Sequence, residues 1–177
     1  MNVEGDPILA SAIRDVPDFP KVGVLFKDIT PLLADGSLLR RCIDGFVEIT
    51  REAKAEKIVG IDARGFLFGA TVADRLGIGF VPIRKKGKLP FSTRSVSYKL
   101  EYGEAELEIH TDAVRPGEKI ALIDDLLATG GTAAAAVKLI QECEAEVVAA
   151  QFLIELEFLE GRQTLAPIPI FPLLRYH

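Results

Sequence analysis

Cysteine is scarce. Only Cys42 and Cys143 occur in 177 residues, with no CxxC pair and no histidine cluster near them. A disulfide framework and a zinc site are therefore not expected, and two free buried thiols of a cytoplasmic protein are. No apolar run approaches the roughly 18 residues of a membrane helix. The first residues carry acids early and have no long apolar stretch, unlike a signal or transit peptide. No membrane partner is expected. Excess basic charge is missing as well. The net charge of −5 disfavours general nucleic-acid binding, because a phosphate backbone selects basic surfaces. It leaves room for a local basic cluster that binds small anions. There is no internal repeat, low-complexity tract or Gly/Ser linker, so residues 1–177 are expected to form a single domain with a substantial core.

Two common phosphate fingerprints are also missing. No GxxxxGK[ST] stretch exists, and Gly77-Ile-Gly79 lacks a third glycine and precedes a strand rather than a helix. What is present is a set of short apolar runs. Lys57–Asp62 reads as a buried strand ending at an acid, followed by a helical run from Phe66 to Leu76 that stops at Gly77. Gly79–Ile83 is a second strand. Arg84–Arg94 has charge, glycine and proline without periodicity, which predicts a mobile surface loop. Ser97–Tyr102 and Ala105–Ile109 flank Gly103-Glu104 as a hairpin, and Arg115–Glu118 is a turn. Lys119–Ile123 is a third buried strand, with an alanine-rich helix after it to about Glu142. Glu146–Ile154 is a fourth.

Buried strands alternating with helices predict an α/β fold with a mostly parallel central sheet flanked by helices. Ligands of such sheets bind beyond the carboxyl ends of the strands. Here those ends carry Asp62-Ala-Arg64, Arg84-Lys-Lys86 and Asp124-Asp125.

The most informative stretch is Ile120–Thr132. A strand delivers Asp124 and Asp125, and the loop Ala128-Thr-Gly-Gly-Thr132 then opens a helix. Gly130 and Gly131 permit close backbone approach, Thr129 and Thr132 supply hydroxyls, and the helix start supplies free N–H groups and a positive dipole end. That is a cradle for a phosphate. The acids upstream suit what hangs beside it, namely sugar hydroxyls or a metal. A phosphorylated sugar fits this loop better than a plain glycine-rich turn beside solvated acids.

These thirteen residues resemble the phosphoribosyl-pyrophosphate signature of type I phosphoribosyltransferases. Phe19–Pro31 resembles the N-terminal base-recognition segment of the adenine-specific members, and Gly60–Phe66 their pyrophosphate loop. Arg84–Pro90 with Tyr98–Gly103 and Ala105–Glu108 resembles their flexible catalytic loop and its return. Gly161-Arg162 and Leu165–Pro167 continue the likeness, which covers about residues 8 to 174 in order.

The resemblance implies the family's fold, with a flexible hairpin loop at about 84–103 and a small base-recognition hood at about 1–35. It implies Mg²⁺-dependent transfer of phosphoribosyl from phosphoribosyl pyrophosphate to adenine, giving AMP and pyrophosphate in purine salvage, by a cytoplasmic homodimer. It further implies that Phe26 stacks on adenine with Leu156 on the other face, while the backbone at Val24 and Lys27 reads the Watson–Crick edge. Lys27 stands where family members commonly have arginine. Arg64, Arg84, Lys85 and Lys88 would face the pyrophosphate, with Arg64 also catalytic. Asp124 and Asp125 would hold the ribose hydroxyls, and Ala128, Thr129, Gly130, Gly131 and Thr132 the 5′-phosphate. Glu101 would accept the purine proton. No side chain would ligate Mg²⁺ directly; the substrate would carry it.

Three rival functions meet contrary features in the sequence. Phe19–Pro31 speaks against another base such as xanthine. The acidic charge, and no space for a helix-turn-helix before residue 19, speak against a DNA-binding regulator on the same fold. Glu101 and the basic loop speak against a binding module without turnover. His110 and His177 receive no role. Residues 168–177, apolar and proline-rich, either cap the core or join an interface.

Overall fold

The fold was taken from a computed structural model, which describes residues 2–99 and 104–177. The chain starts with a short strand, β1 (Val3–Gly5), a single helical turn, α1 (Pro7–Ala10), and two more strands, β2 (Arg14–Pro17) and β3 (Leu25–Asp28). Two helices follow, α2 (Thr30–Ala34) and α3 (Gly36–Glu52). Then come β4 (Lys57–Ile61), α4 (Gly65–Leu76), β5 (Gly79–Lys85), and the paired β6 (Thr93–Lys99) and β7 (Glu104–His110). The last part comprises β8 (Lys119–Leu127), α5 (Gly131–Glu142), β9 (Glu146–Leu156), the short α6 (Gly161–Thr164) and β10 (Ile170–Tyr176).

Eight strands form one sheet in the order β1-β10-β9-β8-β4-β5-β7-β6. The five from β10 to β5 run parallel, and the edges are antiparallel: β1 on β10, and the β6–β7 hairpin on β5. β2 and β3 form a separate two-stranded sheet. The central parallel strands β4, β8 and β9 are buried on both faces along most of their length, which is why their sequences are rich in Val, Ile, Leu and Ala.

The core has two halves, one on each side of the sheet. α5 lays Ala133, Ala136, Val137, Leu139 and Ile140 against one face. α3 and α4 cover the other, where the rings of Phe46 and Phe68 meet edge to face at 5.6 Å. α3 begins where the Asp35 carboxylate accepts from the backbone N–H groups of Ser37 and Leu38, a side-chain N-cap. It is fastened to β9 near its other end: the Thr50 hydroxyl donates to the Phe46 carbonyl and accepts from Gln151 Nε2 at 2.8 Å. α4 ends at Gly77 in the left-handed region, as its sequence suggested. Cys42 and Cys143 are free and buried, and burial pushes both thiols up, away from reactivity.

Three sequence expectations change. The third strand does not stop before the acids, because β8 runs on to Leu127 and carries Asp124 and Asp125 within it. The stretch 84–94 is not wholly a loop, since Arg84 and Lys85 belong to β5, and Thr93 and Arg94 to β6. Antiparallel pairing with β7 holds both ends extended despite the charge and glycine between them. The C-terminal residues form β10, the fifth parallel strand, so they complete the sheet rather than merely cap it.

Phe46→Ala removes a fully buried ring from the interface between α3 and α4 and leaves a cavity. Equilibrium urea unfolding should show a loss of about 3–5 kcal/mol, against less than 1 kcal/mol for the exposed Phe158→Ala.

Candidate active site

The carboxyl ends of β4, β5 and β8 open on the same side of the sheet because the strands are parallel. A cavity of about 210 Å³ lies there, lined by Arg64, the acids Asp124 and Asp125, and residues 126–133 from the end of β8 into the first turn of α5. It unites the glycine-threonine loop, the start of α5 and the acid pair, as the strand-to-helix spacing predicted.

The loop is shaped by Gly130, which has φ +85° and serves as the N-cap residue of α5. Only glycine adopts that backbone without strain. No side chain caps α5, so the N–H groups of its first turn point at the cavity with the positive end of a twelve-residue helix behind them. Thr132 adds a hydroxyl, 3.4 Å from the Tyr98 hydroxyl on β6. Tyr98 was not singled out from the sequence. Its place on an alternating hairpin strand marks which face it lies on, but the helix it meets is 34 residues away.

Asp125 is buried and Asp124 half-buried at the end of β8. The Asp125 backbone N–H donates to Asp124 Oδ1 at 2.9 Å. Burial pushes both carboxyls up, and for Asp124 the neighbouring charge of Asp125 adds to it. Arg64 opposes the shift, with its Nε 2.9 Å from Asp125 Oδ2. Gly65, the next residue, makes this approach possible. A Cβ there would sit 2.7 Å from the Ile123 carbonyl oxygen and 3.0 Å from Asp124 Oδ1. The Arg64 guanidinium also lies 5.7 Å from the Phe26 ring centroid, so it connects the acid pair with the β2–β3 sheet.

Phe26 is half-buried, with Phe19 edge-on at 5.1 Å. Next to it, Lys27 turns inward. It is 3% exposed, with Nζ 2.6 Å from Asp15 Oδ1 and 4.1 Å from the centroid of Tyr176. Its side chain is thus committed to holding β3 on β10, and only its backbone is left to face a ligand. Leu156 pairs in register with the same Tyr176. The Val24 carbonyl accepts from Phe19 N–H, and the Val24 N–H donates to the Lys21 carbonyl. The carbonyl keeps its second lone pair for a donor.

The basic residues on β5 are arranged differently from Arg64. Arg84 donates to Asp62 Oδ2 at 3.1 Å and to the Lys88 carbonyl at 3.2 Å, while Lys85 and Lys88 are exposed. None of the three lines the cavity. Glu101 lies outside the described residues.

An uncapped helix start, a glycine at positive φ, two crowded carboxylates and an arginine suit a phosphorylated sugar with a second anionic group. The comparisons agree with that chemistry. Residues 30–164 match the model of the phosphoribosyl transferase domain. A relative from Desulfitobacterium hafniense, an adenine phosphoribosyltransferase, is 56% identical over 164 residues, covering 93% of this chain and 95% of the relative. The chain belongs to the adenine phosphoribosyltransferase family. The crystal structure of the enzyme from Thermoanaerobacter pseudethanolicus superposes with a TM-score of 0.92 at 47% identity, covering 96% of this chain and 98% of that one. The Saccharomyces cerevisiae enzyme, solved with adenine and an imino-altritol bisphosphate, gives 0.90 at 42% identity, covering 94% and 96%.

The raised carboxyls have a consequence for stability. A carboxyl whose value is raised in the folded state costs stability once the unfolded chain can ionise it more easily, so the cost starts near the ordinary aspartate value, grows with pH up to the raised value and is constant above it. Asp124→Asn should therefore melt higher than wild type at pH 8, by about 2–4 °C for each kcal/mol relieved. The gain should vanish below the ordinary aspartate value of about 3.9. Differential scanning calorimetry of the two proteins across pH measures it.

Proposed function

We propose that this chain transfers the phosphoribosyl group of phosphoribosyl pyrophosphate to adenine, forming AMP and pyrophosphate in purine salvage. The observation that carries the proposal is the single cavity in which the α5 start, the Asp124–Asp125 pair and Arg64 converge. In it, residues 128–132 hold the 5′-phosphate and the two acids hold the ribose hydroxyls. Arg64 takes one end of the pyrophosphate. Arg84, Lys85 and Lys88 join it from β5 and the turn after it, Arg84 exchanging Asp62 for the anion. Phe26 and Leu156 enclose the base.

In the reaction, adenine N9 forms a bond to the anomeric carbon as the bond from that carbon to pyrophosphate breaks. The electron pair leaves with the pyrophosphate, and positive charge builds on the ribose. The demand is electrostatic: cations at the leaving group and carboxylates near the sugar. Arg64 meets the first and the acid pair the second. The N9 proton goes to Glu101, and the loop at 84–96 closes to keep water from the reacting carbon.

Among the described residues no group of three or more His, Cys, Asp or Glu side chains comes together to hold a metal. The two carboxylates and a pyrophosphate fit Mg²⁺, which favours oxygen ligands, keeps several waters and is commonly shared with substrate phosphates. Asp124 and Asp125 would hold it through the substrate, and once bound it neutralises charge on the leaving group.

Base choice follows from the hood. The spare lone pair of the Val24 carbonyl accepts from the exocyclic amine of adenine, which hypoxanthine replaces with a carbonyl. Because Lys27 points inward, its backbone rather than its side chain serves the base edge. This accommodates lysine where relatives commonly have arginine. A cytoplasmic homodimer is the proposed working form. The two free buried cysteines support the compartment, and among the described residues no helix is long and apolar enough to cross a membrane.

The deciding assay measures nucleotide formation from phosphoribosyl pyrophosphate and Mg²⁺ with adenine, hypoxanthine, guanine, xanthine or orotate. Adenine should exceed hypoxanthine in kcat/KM by about 10⁴, the scale of a missing buried donor. Comparable turnover of another base would overturn the hood assignment but keep the phosphoribosyl site. Glu101→Gln should lower kcat by about 10²–10⁴ with KM for either substrate little changed. Sedimentation should give twice the 19.3 kDa of one chain.

A further inference from the structure

β9 ends beside the cavity, and the chain turns back across it through α6. Glu155 sits near the end of β9 at 2% exposure, in register with Leu127, the last residue of β8. Its carboxylate accepts two bonds from one guanidinium: Arg162 Nε to Oε1 at 3.0 Å and Nη2 to Oε2 at 2.6 Å. Arg175 Nε adds a charge 3.6 Å from Oε2. A two-pronged bond to a buried acceptor sets the orientation of the arginine as well as its distance.

Arg162 belongs to α6, and the backbone of α6 lies directly on the loop at 128–130. A Cβ on Gly161 would overlap the Ala128 carbonyl oxygen, and one on Gly130 would come within 2.6 Å of the Gly161 carbonyl oxygen. The Thr164 hydroxyl donates to the Thr129 carbonyl at 3.1 Å. Leu165, 3% exposed, anchors the far end of α6 in the core. The loop is therefore backed by close-packed backbone, and a shift of α6 has to move it.

Resting on the assignment of residues 128–132 to the 5′-phosphate, we propose that Arg162 is a positioning residue. Through Glu155 it clamps α6 against the back of that loop, and so sets the affinity for a sugar 5-phosphate without touching the substrate. The effect is confined to one end of the substrate, because the pyrophosphate groups, Arg64 at the start of α4 and the cations of β5 and its turn, stand on other elements.

The test titrates the full-length protein separately with ribose 5-phosphate and with pyrophosphate, alongside steady-state kinetics. Arg162→Ala should weaken ribose 5-phosphate and raise KM for phosphoribosyl pyrophosphate, each about tenfold. Pyrophosphate affinity and KM for adenine should stay at wild-type values. Arg162→Lys, which keeps charge but loses the fork, should recover only part of the loss. Thr164→Val alters no charge and tests the same contact should Arg162→Ala fail to fold. It should weaken ribose 5-phosphate about threefold with the same selectivity. Equal losses for both ligands, or unchanged ribose 5-phosphate binding in the folded variants, would overturn the clamp. Thr132→Ala separates the two assignments. If it leaves ribose 5-phosphate binding intact, the loop assignment falls and the clamp with it. If it weakens binding while the Arg162 and Thr164 variants do not, the clamp alone falls.

Discussion

Two aspartates at the end of a buried strand cannot both ionise cheaply without a nearby cation, and Arg64 supplies it from the turn that follows the neighbouring strand β4. That 2.9 Å contact organises much of the site. It requires Gly65 to lie almost against the β8 backbone, which brings the start of α4 over the acids. It also leaves the guanidinium near Phe26, so the β2–β3 sheet, the acid pair and the start of α4 share one residue. An arginine held by a carboxylate in a partly buried place is oriented before any ligand arrives, and an anion can compete for it without a large rearrangement.

The parallel sheet is the second constraint. Because β4, β5 and β8 point the same way, their C-terminal ends collect Asp62, Arg64, Arg84, Asp124 and Asp125 on one edge, although 63 residues separate the first from the last. Net charge hides this. A chain at −5 still carries a basic cluster on β5 and its turn, and pairs two of its members with acids: Arg84 with Asp62, Lys86 with Glu106. The pairing keeps the basic cluster from repelling itself and lets individual cations be released to a ligand.

Glycine has two separate roles around the proposed phosphate loop. Gly130 is required by its backbone angle and again by the neighbour it faces, whereas Gly161 is required by crowding alone. The first requirement is local and can be suspected from a strand-loop-helix sequence. The second depends on a segment 31 residues further on, and no local pattern discloses it.

By itself the sequence determined the α/β class, the parallel core strands, the helix stop at Gly77, the free buried cysteines and the coincidence of a glycine-threonine loop with two acids. Each of these rests on short-range regularity: apolar runs, capping residues and strand-to-helix spacing. The full length of β8, the pairing of β5 with the hairpin, and β10 as the fifth parallel strand were decided by hydrogen bonding to partners far along the chain. Lys27 turned inward because a ring from β10 and a carboxylate from β2 were there to receive its charge. Arg162 met Glu155 only because β9 and α6 fold back on each other. Tertiary structure alone settles such choices, since a charged side chain takes the orientation with the best-compensated charge, and sequence does not say where the compensating group will be.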